Sequence, residues 1–194
     1  MKKLVLSMAV AAAALAVAGP AGAQQRPAIL VVDTDRILND CTACKAAASQ
    51  LQGQVTQGRQ RAQQLEASLK PEQEALQKAV DALNGKQPDQ ALQARIAAFR
   101  QKQQQGATEL SNRESTLQST QANVQRQIGS KLVQVVEQSR ARRQASIVVA
   151  KQSTLASDNA IDITGEVLAA LNQQLPSVSV TPLPQQQQSR PQGR

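Results

Sequence analysis

The residues from about Ala43 to Ser139 restrict most strongly how this chain can fold. Gln, Ala, Leu, Lys, Arg and Glu dominate this stretch, which contains two prolines and few glycines. Most of these residue types favour the α-helix. Its apolar residues recur with the alternating three- and four-residue spacing of a coiled coil. One row of this heptad pattern is Val55, Ala62, Leu69, Leu76 and Leu83, and the row four residues earlier is Leu51, Gly58, Leu65, Glu72 and Ala79. The stretch is therefore predicted to form long helices rather than a globular core.

A break in the heptad pattern divides the helical stretch in two. Residues 84–88 (NGKQP) are turn-forming, and Asp89 is suited to cap a new helix. The two helices are predicted to run antiparallel, roughly 60 Å and 80 Å long at about 1.5 Å per residue. Because glycines and polar residues interrupt the apolar rows, we expect a pliant hairpin, with a kink just before Pro71.

Short β-branched runs flank this hairpin. Residues 28–32 (AILVV) precede it and residues 146–150 (SIVVA) follow it, and each run is typical of a buried strand. Asp162 then precedes an apolar helical pattern that ends near Leu175. The predicted fold class is α+β: a small β-rich head carrying a long antiparallel α-helical hairpin, a coiled-coil arm. A head of about fifty residues buries little surface, so we expect self-association.

The two ends of the chain differ in composition from the arm and the head. Residues 1–23 combine two lysines, an apolar run and an A-x-A ending, a pattern typical of a secretory signal peptide cleaved after Ala23. Residues 24–42 are assigned to the first strand of the head and the start of the arm, 43–144 to the arm with its turn near 84–88, and 145–175 to the rest of the head. Residues 176–194 are rich in Pro and Gln and are predicted to form a disordered tail.

The composition excludes several kinds of chemistry. The chain has no His, Trp or Tyr and one Phe, and its 22 Lys and Arg exceed its 14 Asp and Glu. Catalysis by imidazole and zinc sites with imidazole ligands are therefore impossible, and an aromatic stacking surface for nucleic acid cannot form. Asp33, Asp35 and Asp40 lack the spacing of a calcium loop and are interpreted as turn and capping residues. We predict no catalytic, cofactor-binding or metal-ligating residues, and no nucleic acid partner.

Three short segments of the chain resemble those of a known family. Residues 29–33 (ILVVD) with 36–38 (RIL) are similar to its first strand and the turn into its long helix, and residues 146–150 (SIVVA) to its returning strand. Residues 162–168 (DITGEVL) are similar to its Asp-Ile-Thr-x-acidic-Val-Leu ending, the most specific of the three. The family that these segments resemble is the Skp (OmpH) family of periplasmic chaperones for outer-membrane proteins, and the resemblance covers residues 28–175.

The resemblance implies a homotrimer in the periplasm, with the head as its trimerisation body and the helical arms enclosing a cavity. Members of the family hold unfolded outer-membrane β-barrel proteins in this cavity without ATP, so the resemblance implies a holdase chaperone and not an enzyme. The charge of the arm agrees with acidic, unfolded clients, because residues 45–143 contain fifteen basic and eight acidic residues. Anionic lipid or lipopolysaccharide is left open as a further partner.

The candidate client-binding residues are apolar and basic side chains of the arm. They are Arg59, Arg61, Leu65, Leu69, Lys70, Leu76, Lys78, Leu83, Leu92, Arg95, Ile96, Phe99, Arg100, Lys102, Leu110 and Arg113. Two interpretations stay open for the apolar residues and two for the basic residues. The apolar residues either hold the two arm helices together or contact a client, and the basic residues face either a cavity or bulk water.

Cys41 and Cys44 form a C-x-x-C motif at the predicted start of the first long helix. A helix N-terminus lowers the pKa of a thiol, as in thiol oxidoreductases, but no thioredoxin-like alternation of strands and helices surrounds this motif. A local Cys41–Cys44 disulfide is the favoured interpretation in an oxidising compartment. Two alternative functions stay open: a structural coiled-coil envelope protein, which would need a tighter seam, and a thiol-disulfide protein that uses Cys41 and Cys44.

Overall fold

The computed structural model describes residues 29–183, so the predicted signal peptide at 1–23 lies outside the described residues. The elements are β1 (Ile29–Val32), α1 (Thr34–Asp40), α2 (Thr42–Asp81), α3 (Gln90–Arg142), β2 (Ile147–Ala150) and α4 (Thr164–Gln174). Two short 3-10 turns, Lys151–Ser153 and Asn159–Ile161, connect β2 to α4. The predicted α+β fold class is confirmed: a small head of β1, β2, α1 and α4 carries a hairpin of α2 and α3.

The arm is an antiparallel pair of long helices. α2 has 40 residues and α3 has 53, so they are roughly 60 Å and 80 Å long. In the turn between them Asn84 and Gly85 have φ angles of 48° and 84°, a left-handed conformation that Asn and Gly tolerate best. Asp89 starts α3, because its carboxylate accepts a hydrogen bond from the Leu92 N–H at 2.7 Å. α2 continues through Pro71 as a single helix.

Two parallel strands join the two ends of the arm. Ile29 pairs with Ile147 and Val32 with Ala150, and Val31 makes a further bridge to Asp162. β1 therefore lies between β2 and the segment that leads into α4, which explains why its last three residues are buried. A parallel pair needs a long crossover connection, and here the whole arm forms that connection.

One apolar core unites the head with the adjoining end of the arm. Leu30, Ile37, Val135, Val167 and Leu171 are fully buried and come from β1, α1, α3 and α4. Ile37 lies on α1, and Asp33 caps this helix because its carboxylate accepts the Arg36 N–H at 2.9 Å. The core thus draws on every helix of the head, although the head contains only two strands.

Residues 162–164 (Asp-Ile-Thr) lead into α4 and hold this helix against β1. The Ile163 N–H donates to the Val31 carbonyl oxygen at 2.9 Å, and the Ile163 side chain is buried in the core. The Thr164 hydroxyl accepts a hydrogen bond from the Asp33 N–H at 2.8 Å. Ile163 and Thr164 therefore hold α4 against the end of β1.

Asp162 completes this junction as a charged acceptor. Its carboxylate accepts hydrogen bonds from the Thr164 N–H and from the Lys151 Nζ, each at 2.9 Å. Burial alone would raise the pKa of Asp162, but the hydrogen bonds from Thr164 and Lys151 outweigh it and lower the pKa to about 2. The side chain therefore stays ionised and keeps its partners over the neutral and mildly acidic range.

Glu166, the acidic residue of the segment 162–168 (DITGEVL), connects α4 to the end of the arm. Arg142 and Arg143 donate to the two carboxylate oxygens of Glu166 at 2.7 Å and 3.0 Å. Burial would raise the pKa of Glu166, but the hydrogen bonds from Arg142 and Arg143 lower it. The most specific part of the family resemblance is thus explained by contacts that assemble the head.

Residues 176–183 lie against the arm, which corrects the prediction of disorder for this part of the tail. Val178 and Val180 pack against the apolar core, and backbone groups of 179–183 form hydrogen bonds with side chains of α2 and α3. A Pro- and Gln-rich composition indicates disorder, but two valines spaced by two residues provide the apolar contacts that order this part. The rest of the predicted tail, 184–194, lies outside the described residues.

Candidate functional site

The apolar candidate residues lie between the two arm helices. Leu76 and Phe99 are buried, 6% and 7% exposed. Half-buried positions are Leu65, Leu69, Leu83, Leu92, Ile96 and Leu110. Near the tip of the arm, the other helix is the only described neighbour, so burial there means contact across the hairpin. Leu76 and Phe99 hold the helices together, whereas the half-buried side chains also keep some accessible surface.

Five of the basic candidate residues project freely from the arm. Arg59, Lys70, Lys78, Arg95 and Arg100 are exposed, and none of them pairs with a carboxylate among residues 29–183. Exposed cations on a helix stay hydrated, so they cost little free energy of folding. They attract acidic groups over about 8–10 Å at physiological ionic strength. These five side chains give the arm a surface that favours an anionic or acidic partner.

The other three basic candidates pair with carboxylates of the arm, two of them across the hairpin and Arg113 within α3. Arg61 on α2 forms two hydrogen bonds with Glu109 on α3, at 2.9 Å and 2.8 Å, and Arg113 adds a third at 3.0 Å. The hydrogen bonds from Arg61 and then Arg113 lower the pKa of Glu109 to about 2. Lys102 pairs across the hairpin with Glu72 at 2.6 Å. Arg61, Lys102 and Arg113 thus have partners within the arm already.

A solvent-open groove of about 880 Å³ runs between α2 and α3 near the middle of the arm. Residues 54–62 of α2 and 109–117 of α3 line it. Val55 and Leu117 supply apolar lining, and the charges of Arg59 and Arg113 are balanced by Glu109 and Glu114. Such a groove can accept apolar side chains of a polypeptide.

The sequence analysis missed a row of polar side chains on α3. Ser119, Asn123 and Gln127, spaced by four residues, form hydrogen bonds with the backbone of 179–183. Residues four apart lie on the same face of a helix. The recurrence of hydroxyl and amide groups at this spacing is the sequence signal that would have indicated a polar contact surface.

Cys41 and Cys44 are joined by a disulfide. Cys41 is fully buried, Cys44 is 7% exposed, and both belong to the apolar core. The Cys41 sulfur also accepts a hydrogen bond from the Cys44 N–H at 3.2 Å, which caps the start of α2. The disulfide is therefore part of the junction between head and arm, and burial shields it from an attacking thiol.

Metal and membrane sites are not found among residues 29–183. No group of three or more Cys, Asp or Glu side chains in this range could hold a metal ion. None of the helices in the same range combines the length and the apolarity of a membrane span. Asp33 instead caps α1, as expected for the acidic residues at the start of the chain.

Comparison with known proteins agrees with the fold and the motifs. The model of the family described as "Outer membrane protein (OmpH-like)" matches residues 28–171. No curated protein matches the chain. A solved structure of an OmpH-like protein from Caulobacter crescentus CB15, described as a candidate outer membrane chaperone, is similar with a TM-score of 0.68 and 18% identity. The similarity covers 95% of this chain and 100% of that one. At this identity, the likeness shows the fold.

Proposed function

Because the chain belongs to the OmpH-like family, a family of chaperones, we propose that it is an ATP-independent holdase of the periplasm. Its clients are unfolded outer-membrane proteins, which it keeps from aggregating before they insert into the membrane. Residues 1–23 direct export in this proposal and are removed after Ala23. The family itself was predicted from the three resembling segments, and the match over residues 28–171 confirms that prediction.

The observation that supports a holdase best is the surface of the arm. It combines five exposed cations, Arg59, Lys70, Lys78, Arg95 and Arg100, with half-buried leucines and an open groove. An unfolded acidic polypeptide can form many weak contacts with such a surface, and no single contact fixes its conformation. Many weak contacts retain a client by multivalency and still allow its release.

We assign the holdase cavity to the space between the arms of a homotrimer. Two neighbouring strand residues, Ile29 and Ile147, are 50% and 49% exposed, and Val133 on α3 is 69% exposed. Apolar side chains exposed side by side on a small head favour association with further copies. Three arms would then surround a client on several sides, which one arm cannot do.

Suppression of aggregation tests this function. A urea-unfolded outer-membrane β-barrel protein is diluted into buffer with the mature chain, and light scattering is followed. Neutralising the five exposed cations (R59Q, K70Q, K78Q, R95Q and R100Q together) should weaken client binding about tenfold at low salt, since each exposed charge pair contributes roughly 0.3 kcal/mol. The matched control keeps every charge (R59K, K70R, K78R, R95K and R100K) and should act like the wild type.

Two outcomes would contradict the proposal in different ways. If the wild type at several-fold excess of trimer leaves aggregation unchanged, the chain is not a holdase. If the wild type suppresses aggregation and the neutralised variant does so equally well, the five cations do not contact the client. Sedimentation of the wild type checks the trimer separately, and a stable monomer would rule out the enclosed cavity.

A further inference from the structure

Residues 177–183, the C-terminal segment, are held on α3 by their backbone. The Gln127 side-chain amide forms two hydrogen bonds with Ser179: Nε2 donates to the carbonyl oxygen at 3.0 Å, and Oε1 accepts from the N–H at 3.1 Å. The Asn123 Nδ2 donates to the Thr181 carbonyl oxygen at 2.9 Å. A paired contact of this kind recognises the backbone N–H and C=O of one residue and not its side chain.

Two further side chains continue this pattern. The Leu183 N–H donates to the Ser119 Oγ at 3.0 Å, and the Gln54 Nε2 on α2 donates to the Val180 carbonyl oxygen at 3.4 Å. All the hydrogen bonds found between the described segment and the arm use backbone atoms of the segment. The arm therefore holds this segment by groups that every polypeptide possesses.

The spacing of these contacts fits an extended chain. Bonded residues of the segment are two apart, whereas the polar row Ser119, Asn123 and Gln127 advances by four residues of helix. Four helical residues rise by about 6 Å, and two extended residues span about 6.6 Å. The distance between successive side chains of the row on α3 thus matches the two-residue repeat of an extended polypeptide. The segment runs antiparallel to α3.

The side chains of the segment alternate between the arm and solvent. Val178 and Val180 are half-buried and pack against the apolar core, whereas Ser177, Ser179 and Thr181 are exposed. Transmembrane β-strands have the same period-two alternation of apolar and polar residues. The segment on the arm therefore has the sequence pattern expected of an unfolded outer-membrane client.

We propose that this face of α3, with Gln54 of α2, is a binding site for extended polypeptides of alternating apolar and polar residues, and that the chain's own C-terminal segment occupies the site until a client segment displaces it. The choice of client rests on the proposed holdase function, whereas the site itself rests on the backbone contacts above. Gln54 also lines the arm groove, so a longer client segment continues from this site into the groove.

A peptide-binding experiment tests the site independently of holdase activity. The probe is a fluorescent synthetic peptide with the sequence of residues 176–183 (PSVSVTPL), and its anisotropy is measured with two full-length proteins. The double substitution V178D and V180D removes the apolar contacts of the resident segment, so this variant should bind the probe at least tenfold more tightly than the wild type. A control peptide of the same composition without the alternation (PVVSSTPL) should bind the variant at least tenfold more weakly.

Adding Q127A to the double variant removes the paired contact with the backbone and should weaken probe binding again. Equal binding of the probe to wild type and double variant, or binding to neither, would overturn the inference, as would equal binding of the two peptides. Far-UV circular dichroism establishes that each variant keeps its helices, so that loss of fold is not mistaken for loss of a site.

Hydrogen exchange with a client then tests the displacement. When an unfolded outer-membrane protein is added to the wild type, the amides of Ser179 and Leu183 should exchange at least tenfold faster. Suppressed aggregation with unchanged exchange at both amides would refute displacement while leaving the holdase function intact. Failure of aggregation suppression together with successful probe binding would instead refute the holdase function and leave the peptide site intact.

Discussion

Replacing Thr164 with Val removes one hydroxyl from the junction between β1 and α4. Thr164 is 2% exposed, and its hydroxyl accepts the Asp33 N–H at 2.8 Å. Val has nearly the same shape but cannot accept a hydrogen bond, so the substitution leaves the Asp33 amide without its partner. The packing around position 164 changes little, which isolates the effect of the hydroxyl.

The expected cost follows from the loss of this buried acceptor. An amide left without a partner in a buried position costs about 1–3 kcal/mol. Since a tenfold change in an equilibrium constant corresponds to about 1.4 kcal/mol, opening of the junction should become roughly 5- to 150-fold more frequent. The arm near Phe99 shares no contact with this junction and should keep its stability.

Amide hydrogen exchange at Ile163 measures this opening directly, because the Ile163 N–H bonds to Val31 across the same junction. T164S keeps the hydroxyl and should exchange nearly like the wild type. T154V is a matched control, since the Thr154 hydroxyl donates only to the nearby Lys151 carbonyl at 2.8 Å in a less buried place. Exchange at Ile163 within threefold of the wild type in T164V would refute the reasoning.

Two further predictions concern the charge and the disulfide of the head. Because the pKa of Asp162 is about 2 in the fold against 3.8 for the free side chain, its contribution to stability is complete above pH 3.8 and is lost as the pH falls towards 2. NMR titration of its carboxyl carbon checks this, and a midpoint near 3.8 would contradict it. Replacing Cys41 and Cys44 with Ser should lower the free energy of unfolding by at least about 2 kcal/mol, the loop-closure value for so short a loop, because two Ser hydroxyls in the apolar core add to the loss. Urea denaturation measures that loss, and aggregation suppression should stay unchanged; lost suppression would give the pair a part in client binding.

Local sequence patterns predicted the arm because its structure depends on neighbouring residues. The heptad rows place Leu76 inside the hairpin, and the NGKQP turn with Asp89 explains where α3 begins. Similarly, β-branched runs predicted the two strands. In each case, the information lies within a few residues of the element that it determines.

Contacts between distant residues explain what the sequence patterns missed. Arg59 and Arg61 are equivalent as basic residues of the arm, but of these two only Arg61 pairs with Glu109, which is 48 residues away. Gln127 and Ser179 are 52 residues apart, and no local pattern couples them. The Pro- and Gln-rich composition of the predicted tail indicates disorder. Composition does not reveal that two of its residues, Val178 and Val180, pack against the apolar core.

The direct pairing of β1 with β2 has a consequence for how such proteins diverge. Since the chain leaves and rejoins the head at neighbouring strands, the register of Ile29 with Ile147 does not depend on how far the arm extends. Inserting one heptad into α2 and one into α3 would carry the turn about 10 Å further out and leave the head packing untouched. Matched insertions or deletions in α2 and α3 can therefore change the length of the arm while the head stays the same, and in the proposed holdase they would change the volume available to a client.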